Sequence, residues 1–518
     1  MIYYDSEYLT FCDNRLPLPT MTQVRKKTLI STFIIYIGFA IGAINTYLFA
    51  KQNFFTTEEY GLTRVFIDTC NILIMLSMLG SNAVVVKFFP FYKRNLKPEE
   101  NDLLGGAYIL TTIGFAIVFL AGWLGQDLFI RKFSERAHLL VKYYYWLFPF
   151  TFFFALYTVT ESYAWHLQKI TITNFLRETL FRFLTTILIV FRLFDLISFH
   201  TFMILFALQY ALLFLILLFY LIKTQGVKLV FSISKVTKKF YKKILTLATY
   251  IYCGSVIHTV ALFIGPIIIA ATSSLGDAGI YTFANYFVSI LQAPQRSIIS
   301  MSVPLLSNAW KDKDYGAIQR IYERSSINML LISILLFFIM WLGMDTAIDL
   351  FHVNPDFHRG KIIFLLLSIY WIIELGTGVN AQIIGTSNDW RFEFTSGVVL
   401  LALSIPTNYF FVKHFGMVGA AYSGLISITV YNTIRFLFIW KKYKLQPFSF
   451  NTVKLLVIAG VAYSITYVCT KPLSGFTFLA TSSVLFTLLY LLPVYFWNVT
   501  PDIKPVVNTA MKRLRIKK

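Results

Sequence analysis

The run Thr28–Ala50, TLISTFIIYIGFAIGAINTYLFA, contains no charged side chain. About 20 predominantly apolar residues are enough for a helix to cross the hydrocarbon of a bilayer. The run is therefore read as a membrane-spanning helix. No convincing cleavage site follows it and residues 1–20 are polar, so it is a retained helix and not a secretion signal. Working outward, similar stretches recur roughly fourteen times, centred near residues 39, 74, 113, 150, 184, 211, 258, 293, 339, 373, 402, 428, 462 and 486. The links between them are short, the longest being the basic segment from Lys223 to Lys243, which leaves no room for a separate catalytic domain.

Composition agrees. Of 518 residues, 57% are hydrophobic, 18% aromatic and only 14% charged, against roughly a quarter charged in soluble domains. A net charge of +21 suggests nucleic-acid binding at first sight, but the cations stand in short clusters between apolar runs and form no basic domain. With the N-terminus placed in the cytoplasm, about 33 Lys and Arg fall inside, about 10 outside and about 3 within spans, as the positive-inside rule expects. The inner clusters are Lys93, Arg94 and Lys97; Lys235, Lys238, Lys239, Lys242 and Lys243; Lys441, Lys442 and Lys444; and the tail from Lys512 to Lys518. They read as orientation signals and headgroup contacts. Cys12, Cys70, Cys253 and Cys469 have no metal-ligand spacing and support no disulfide framework.

The chain repeats itself weakly. A shift of 214 lays Asn71, Met75, Met78 and Asn82 over Asn285, Ser289, Gln292 and Arg296, Pro90 over Pro304, and Asn174 and Arg177 over Asn388 and Arg391. Shifts of 213 and 218 pair Glu161 with Glu374, and Glu59-Tyr60-Gly61 with Asp277-Ala278-Gly279. The expected fold is an all-α polytopic membrane protein of about 14 helices. A cytoplasmic segment (1–27) leads into a six-helix lobe (28–230) and a pseudo-symmetric second lobe (231–451); two extra helices (452–500) and a basic cytoplasmic tail (501–518) follow. Residues 1–20 either belong to that first segment or are an extension upstream of Met21.

Several short motifs resemble a known family. Asn45-Thr46-Tyr47-Leu48, Thr57-Glu58-Glu59-Tyr60-Gly61, Leu79-Gly80 and Lys87-Phe88-Phe89-Pro90 are similar to the N-terminal signature of polysaccharide-biosynthesis flippases, in the multidrug/oligosaccharidyl-lipid/polysaccharide exporter superfamily. Pro406-Thr407-Asn408-Tyr409 and Gly416-Met417-Val418-Gly419-Ala420-Ala421 resemble that family's eleventh and twelfth helices. The resemblance implies translocation of a lipid-linked oligosaccharide, of the O-antigen and lipopolysaccharide kind, across a bacterial inner membrane. It also implies work beside a glycan polymerase and glycosyltransferases. It transfers no substrate contact.

Charges within spans are costly and usually face a bundle interior or an aqueous cavity. Arg64 and Asp68, four apart, open a stripe continued by Asn71, Met75, Met78 and Asn82; they either neutralise each other or line a passage. Asn285, Ser289, Gln292 and Arg296 have the same i, i+4, i+7, i+11 spacing, and a guanidinium there can hold phosphate oxygens bidentately. Arg182 has Glu178 one turn before it and either locks the lobe or opens to a phosphate. Glu374, near the middle of the tenth span, is a candidate for coupling to a proton gradient unless another helix supplies its cation. His258 is read as a core histidine, Tyr143 to Trp146 as an interfacial belt, and Pro149, Pro266, Pro294, Pro304, Pro406 and Pro493 as kink sites. Gly38 and Gly42 have the small-xxx-small spacing of closely packed helices. No P-loop, H-E-x-x-H or dinucleotide fingerprint occurs, so the expectation is a transporter with no cofactor, no metal and no enzymatic site. The alternatives are a drug/cation antiporter of the same superfamily, or a membrane-embedded glycan polymerase or ligase using the outer-link residues Glu58, Glu59, Asp345, Asp349, His352, Asp356 and His358.

Overall fold

The structure is a computed structural model. It describes residues 21–505, apart from the side chains of residues 21–33, Tyr250, Ala293, Pro294, Arg296, Ser297, Ser300 and Trp390. The proposed extension 1–20, the tail beyond residue 505 and the Arg296 side chain thus lie outside the described residues. Every regular element among them is helical, as hydrocarbon demands of any chain that must satisfy its own backbone donors and acceptors. Among the described residues, eight helices are long and apolar enough to cross a membrane, or nine if the pair Pro355–Gly376 and Asn380–Thr386, bent by 42°, is one span. Of the remaining expected centres, 39 and 150 lie in the Met21–Ala50 and Leu147–His166 helices, and 184 and 293 lie on shorter or interrupted ones, so these lengths do not establish a count of fourteen. The chain is an all-helical, multi-pass membrane protein.

Interruptions within spans occur at glycines and, among the expected prolines, beside Pro294. Pro266, Pro304, Pro406 and Pro493 sit inside continuous helices. Within Trp390–Tyr443, by contrast, Gly416 has φ 57° and ψ −142°, a conformation open to glycine but not to residues with a Cβ. There the chain reverses into a helical hairpin. Its arms are tied by a 2.7 Å hydrogen bond between the Thr407 and Ser423 hydroxyls. They approach so closely that a Cβ on Gly419 would stand 2.0 Å from the Phe411 carbonyl oxygen. The expected eleventh and twelfth helices are the two arms.

The described residues form two compact units. One takes those up to Phe49 together with Phe66–Thr259; the other takes Ala50–Val65 and everything from Val260. These units are defined by packing and are distinct from the sequence repeats. In the first, Phe150, Phe154, Phe206 and Tyr210 interlock, with Phe154 and Tyr210 stacked at 3.8 Å, each such pair adding about 0.5–1.5 kcal/mol beyond area burial. The Met21–Ala50 helix lies against the π-helical turn Phe175–Leu180: a Cβ on Gly38 would meet the Glu178 carbonyl at 2.2 Å, and one on Gly42 the Arg182 side chain at 3.1 Å. That is the close approach expected of those glycines.

The second unit holds a reciprocal contact. Thr56 and Glu59 form a capping box (3.0 and 3.1 Å) that starts the Thr57–Met78 helix, and Ser274 caps the Leu275–Leu291 helix through the Asp277 N–H. The two helix starts pack on each other. A Cβ on Gly61 would be 1.8 Å from the Leu275 carbonyl oxygen, and one on Gly279 would be 2.7 Å from that of Thr57. Gly61 and Gly279, like Thr57 and Leu275, are related by the shift of 218 seen in the sequence. Sequence repeats here meet about a local two-fold relation.

Candidate functional site

In the second unit a polar cluster forms where the bent pair meets the hairpin. Glu374 accepts a 2.7 Å hydrogen bond from the Asn432 amide, whose own carbonyl oxygen accepts from Thr377 (3.0 Å) and Asn380 (2.9 Å). Gly378, at φ 62°, turns the chain between Gly376 and Asn380 and brings these side chains together. No salt bridge to Glu374 forms among the described residues; its hydrogen-bond donor is a neutral amide. Farther along the hairpin Arg435, 3% exposed, pairs with Glu393 across the two arms and lies 3.7 Å over the Tyr431 ring. The sequence reading missed Arg435, Glu393 and Asn432. Charge and amide in Tyr431-Asn432-Thr433-Ile434-Arg435, inside an apolar run, were the available signal.

The first unit carries a related arrangement. Glu161, with its side chain 2% exposed, accepts from Arg177 at 2.8 Å; these are the residues that the repeat placed over Glu374 and Arg391. Arg182 forms the expected pair with Glu178 at 3.1 Å, while its backbone carbonyl accepts from Asn45 (2.8 Å) and its guanidinium lies 5.0 Å over Phe39. The π-helical turn Phe175–Leu180 presents Arg177 and Glu178 to these different partners.

The two polar stripes are less continuous than their spacing predicts. Leu79 and Gly80 break the first before Asn82, and a turn at Gln292 breaks the second before Arg296. In the second case Pro294 has no N–H to give the helical ladder. Asn82 lies beyond its break and accepts from Ser162. Arg64 stands 5.0 Å over the Tyr60 ring, and Asp68 and Asn71 are half-buried. Asn285 and Ser289 are exposed one turn apart, and Gln292 is half-buried.

Two other expectations change. His258 is exposed and not buried in the core. Tyr143 and Tyr144 are buried, Tyr144 donating to the Gly122 carbonyl at 2.8 Å, which leaves Tyr145 as the exposed tyrosine of the expected belt. Of the link residues named for a polymerase or ligase, His358 lies between Asp345 (3.3 Å) and Asp349 (3.0 Å), and Lys361 holds the other Asp345 oxygen. At the end of the hairpin away from Gly416 the Lys442 ammonium, with the Tyr443 hydroxyl, holds the Asp389 carboxyl below its ordinary range. Among the described residues no group of three or more His, Cys, Asp or Glu has the arrangement of a metal site.

Two helical units, paired carboxylates within apolar helices and discontinuous spans define the architecture of a polytopic membrane protein. The chain belongs to the polysaccharide biosynthesis protein family, whose model matches residues 24–310; this is the family its motifs resemble. Among solved structures, the lipid II flippase MurJ in an inward closed conformation is similar at 16% identity and TM-score 0.68, covering 91% of this chain and 98% of that one. An inward-facing multidrug resistance MATE family transporter of the MOP superfamily is similar at 12% identity and TM-score 0.62, covering 79% and 96%. These likenesses establish a shared fold. Among curated proteins no significant sequence match is found.

Proposed function

We propose that this protein is a flippase that moves a polyprenyl-pyrophosphate-linked oligosaccharide across the inner membrane of a bacterium, for cell-surface polysaccharide synthesis. Membership of the polysaccharide biosynthesis family over residues 24–310 carries the reading. The fold shared with a lipid II flippase is consistent with a lipid-linked cargo. Exposed Asn285 and Ser289 add support, because polar side chains on a membrane helix favour a wet lining over lipid. In this reading both termini are cytoplasmic, lobes 28–230 and 231–451 alternate access, and residues 452–500 are accessory helices. A glycan polymerase and glycosyltransferases act before and after it. The direct test is purified protein in vesicles with a labelled lipid-linked oligosaccharide, scored by its accessibility from each side. Efflux of a cationic dye in place of lipid movement would assign the protein to drug/cation antiport.

Two substitutions probe the mechanism. Arg296→Ala should abolish lipid movement while the protein still inserts, and Arg296→Lys should retain part of it, as a point charge without the bidentate fork. Normal movement by the Ala variant would remove Arg296 from the substrate path. Transport should also respond to an imposed pH gradient through Glu374, since a carboxylate that is hydrated in one state and enclosed in the other gives a proton different affinities for the two. Glu374→Gln should keep the Asn432 contact and lose the pH response; an unchanged response would make Glu374 a structural hydrogen-bond acceptor only.

A further inference from the structure

Two stretches far apart in sequence are folded side by side in the first unit. The Ser81–Asn95 helix meets the opening turns of Lys235–Thr272 through the Tyr92 and Thr237 hydroxyls, 2.7 Å apart and 145 residues distant in sequence. The Phe91 and Phe240 rings pack at 6.0 Å beside them. Of the three acidic groups at this junction Glu100 is exposed, and the other two are engaged. Asp102 accepts from the Ser234 N–H (2.8 Å) and the Thr237 hydroxyl (2.7 Å). Glu99 pairs with Lys228 at 3.1 Å, and that ammonium holds its carboxyl below the ordinary range.

Basic residues from both stretches are exposed around that junction. Lys93, Arg94 and Lys97 come from the first, and Lys235, Lys238, Lys239, Lys242 and Lys243 from the second. Apolar side chains are exposed among them: Phe231 by 57%, Ile233 by 65%, Tyr241 by 50% and Leu245 by 55%. The opposite face of the helix is buried, with Val236 at 7% and Ala248 at 3%. A helix start with one packed face, and lysines mixed with exposed aromatic and aliphatic groups on the other, has the composition of an interfacial element.

We infer that residues 231–245, with the end of the Ser81–Asn95 helix, form a binding surface for the anionic phospholipid headgroups of one leaflet. The charge chemistry selects this occupant. Seven of the eight cations are lysines, point charges suited to a diffuse negative surface, and all eight are exposed, whereas a single pyrophosphate calls for an enclosed, bidentate guanidinium site. The exposed Phe231, Ile233 and Leu245 find an apolar environment only where acyl chains begin. The inference goes beyond the transport reading and stands or falls separately from it.

The test uses purified full-length protein in neutral detergent micelles with a fluorescent phosphatidylglycerol or the matching phosphatidylcholine, bound lipid being measured after gel filtration. Phosphatidylglycerol should be retained at least about fivefold better at about 0.05 M salt, and the preference should largely vanish near about 1 M, where the screening length falls to about 3 Å. K238Q/K239Q/K242Q should bring the preference down to about twofold or less, while the corresponding triple Arg variant keeps it. The salt titration needs no variant, so a folding defect in the Gln protein cannot hide the answer. Equal retention of both lipids by the unaltered protein would overturn the inference. So would a response confined to a polyprenyl pyrophosphate added to phosphatidylcholine micelles, which would assign these cations to the transported lipid.

Discussion

Gly61→Ala is expected to be among the most damaging single-methyl changes in this protein. The added Cβ would stand 1.8 Å from the Leu275 carbonyl oxygen, a backbone atom in a capped helix start that no rotamer change can move. The Thr57–Met78 and Leu275–Leu291 helices must therefore separate by more than 1 Å at their crossing. That loses the reciprocal contact at Gly279, where the corresponding distance is 2.7 Å. Overpacking costs about 1–3 kcal/mol, with the upper end expected where backbone meets backbone, and membrane helices depend on close backbone approach because lipid supplies little hydrophobic drive between them. In detergent the variant should unfold at a temperature lower by several degrees, and lipid movement should fall with it. Gly279→Ala should do the same less severely. Gly106→Ala is the control, since no atom lies within 4 Å of its added Cβ. A Gly61→Ala protein with the stability of that control would refute the helix crossing described.

The second large effect is expected at Arg435→Met. This side chain is 3% exposed, donates to Glu393 and lies over Tyr431. Its removal strands a carboxylate from the opposite arm of the hairpin. Losing one member of a buried ion pair costs about 3–5 kcal/mol. Because the Glu393 side chain retains 28% exposure, the lower end of that range, about 3 kcal/mol, is the better expectation. Glu393→Gln in the Arg435→Met background should restore most of the loss, since the stranded charge is gone. Arg435→Lys should recover only part, lacking both the planar fork and the stack on Tyr431. The check is a double-mutant cycle on unfolding in detergent. Additive losses would show that Arg435 and Glu393 contribute independently.

These two sites show how differently parts of the molecule were legible. Hydropathy is a property of each segment taken alone, so the membrane class, the all-helical fold and the positions of the apolar runs follow from residues such as Thr28–Ala50 without reference to any neighbour. The family motifs, the Gly38 and Gly42 packing face and the Arg182–Glu178 pair are local as well, each confined to a few turns of one helix. Partners across helices are not local. Glu393 and Arg435 lie 42 residues apart and meet only because Gly416 reverses the chain between them. Spacing placed Asn82 and Arg296 on unbroken faces, but turns at Leu79-Gly80 and at Gln292 interrupt both. The sequence also indicated that Gly61 and Gly279 are repeats of each other. Only tertiary structure decided that these repeats touch, because two backbones can approach this closely only where both surfaces lack a Cβ, and a pattern in one strand of sequence does not specify which such surfaces face each other.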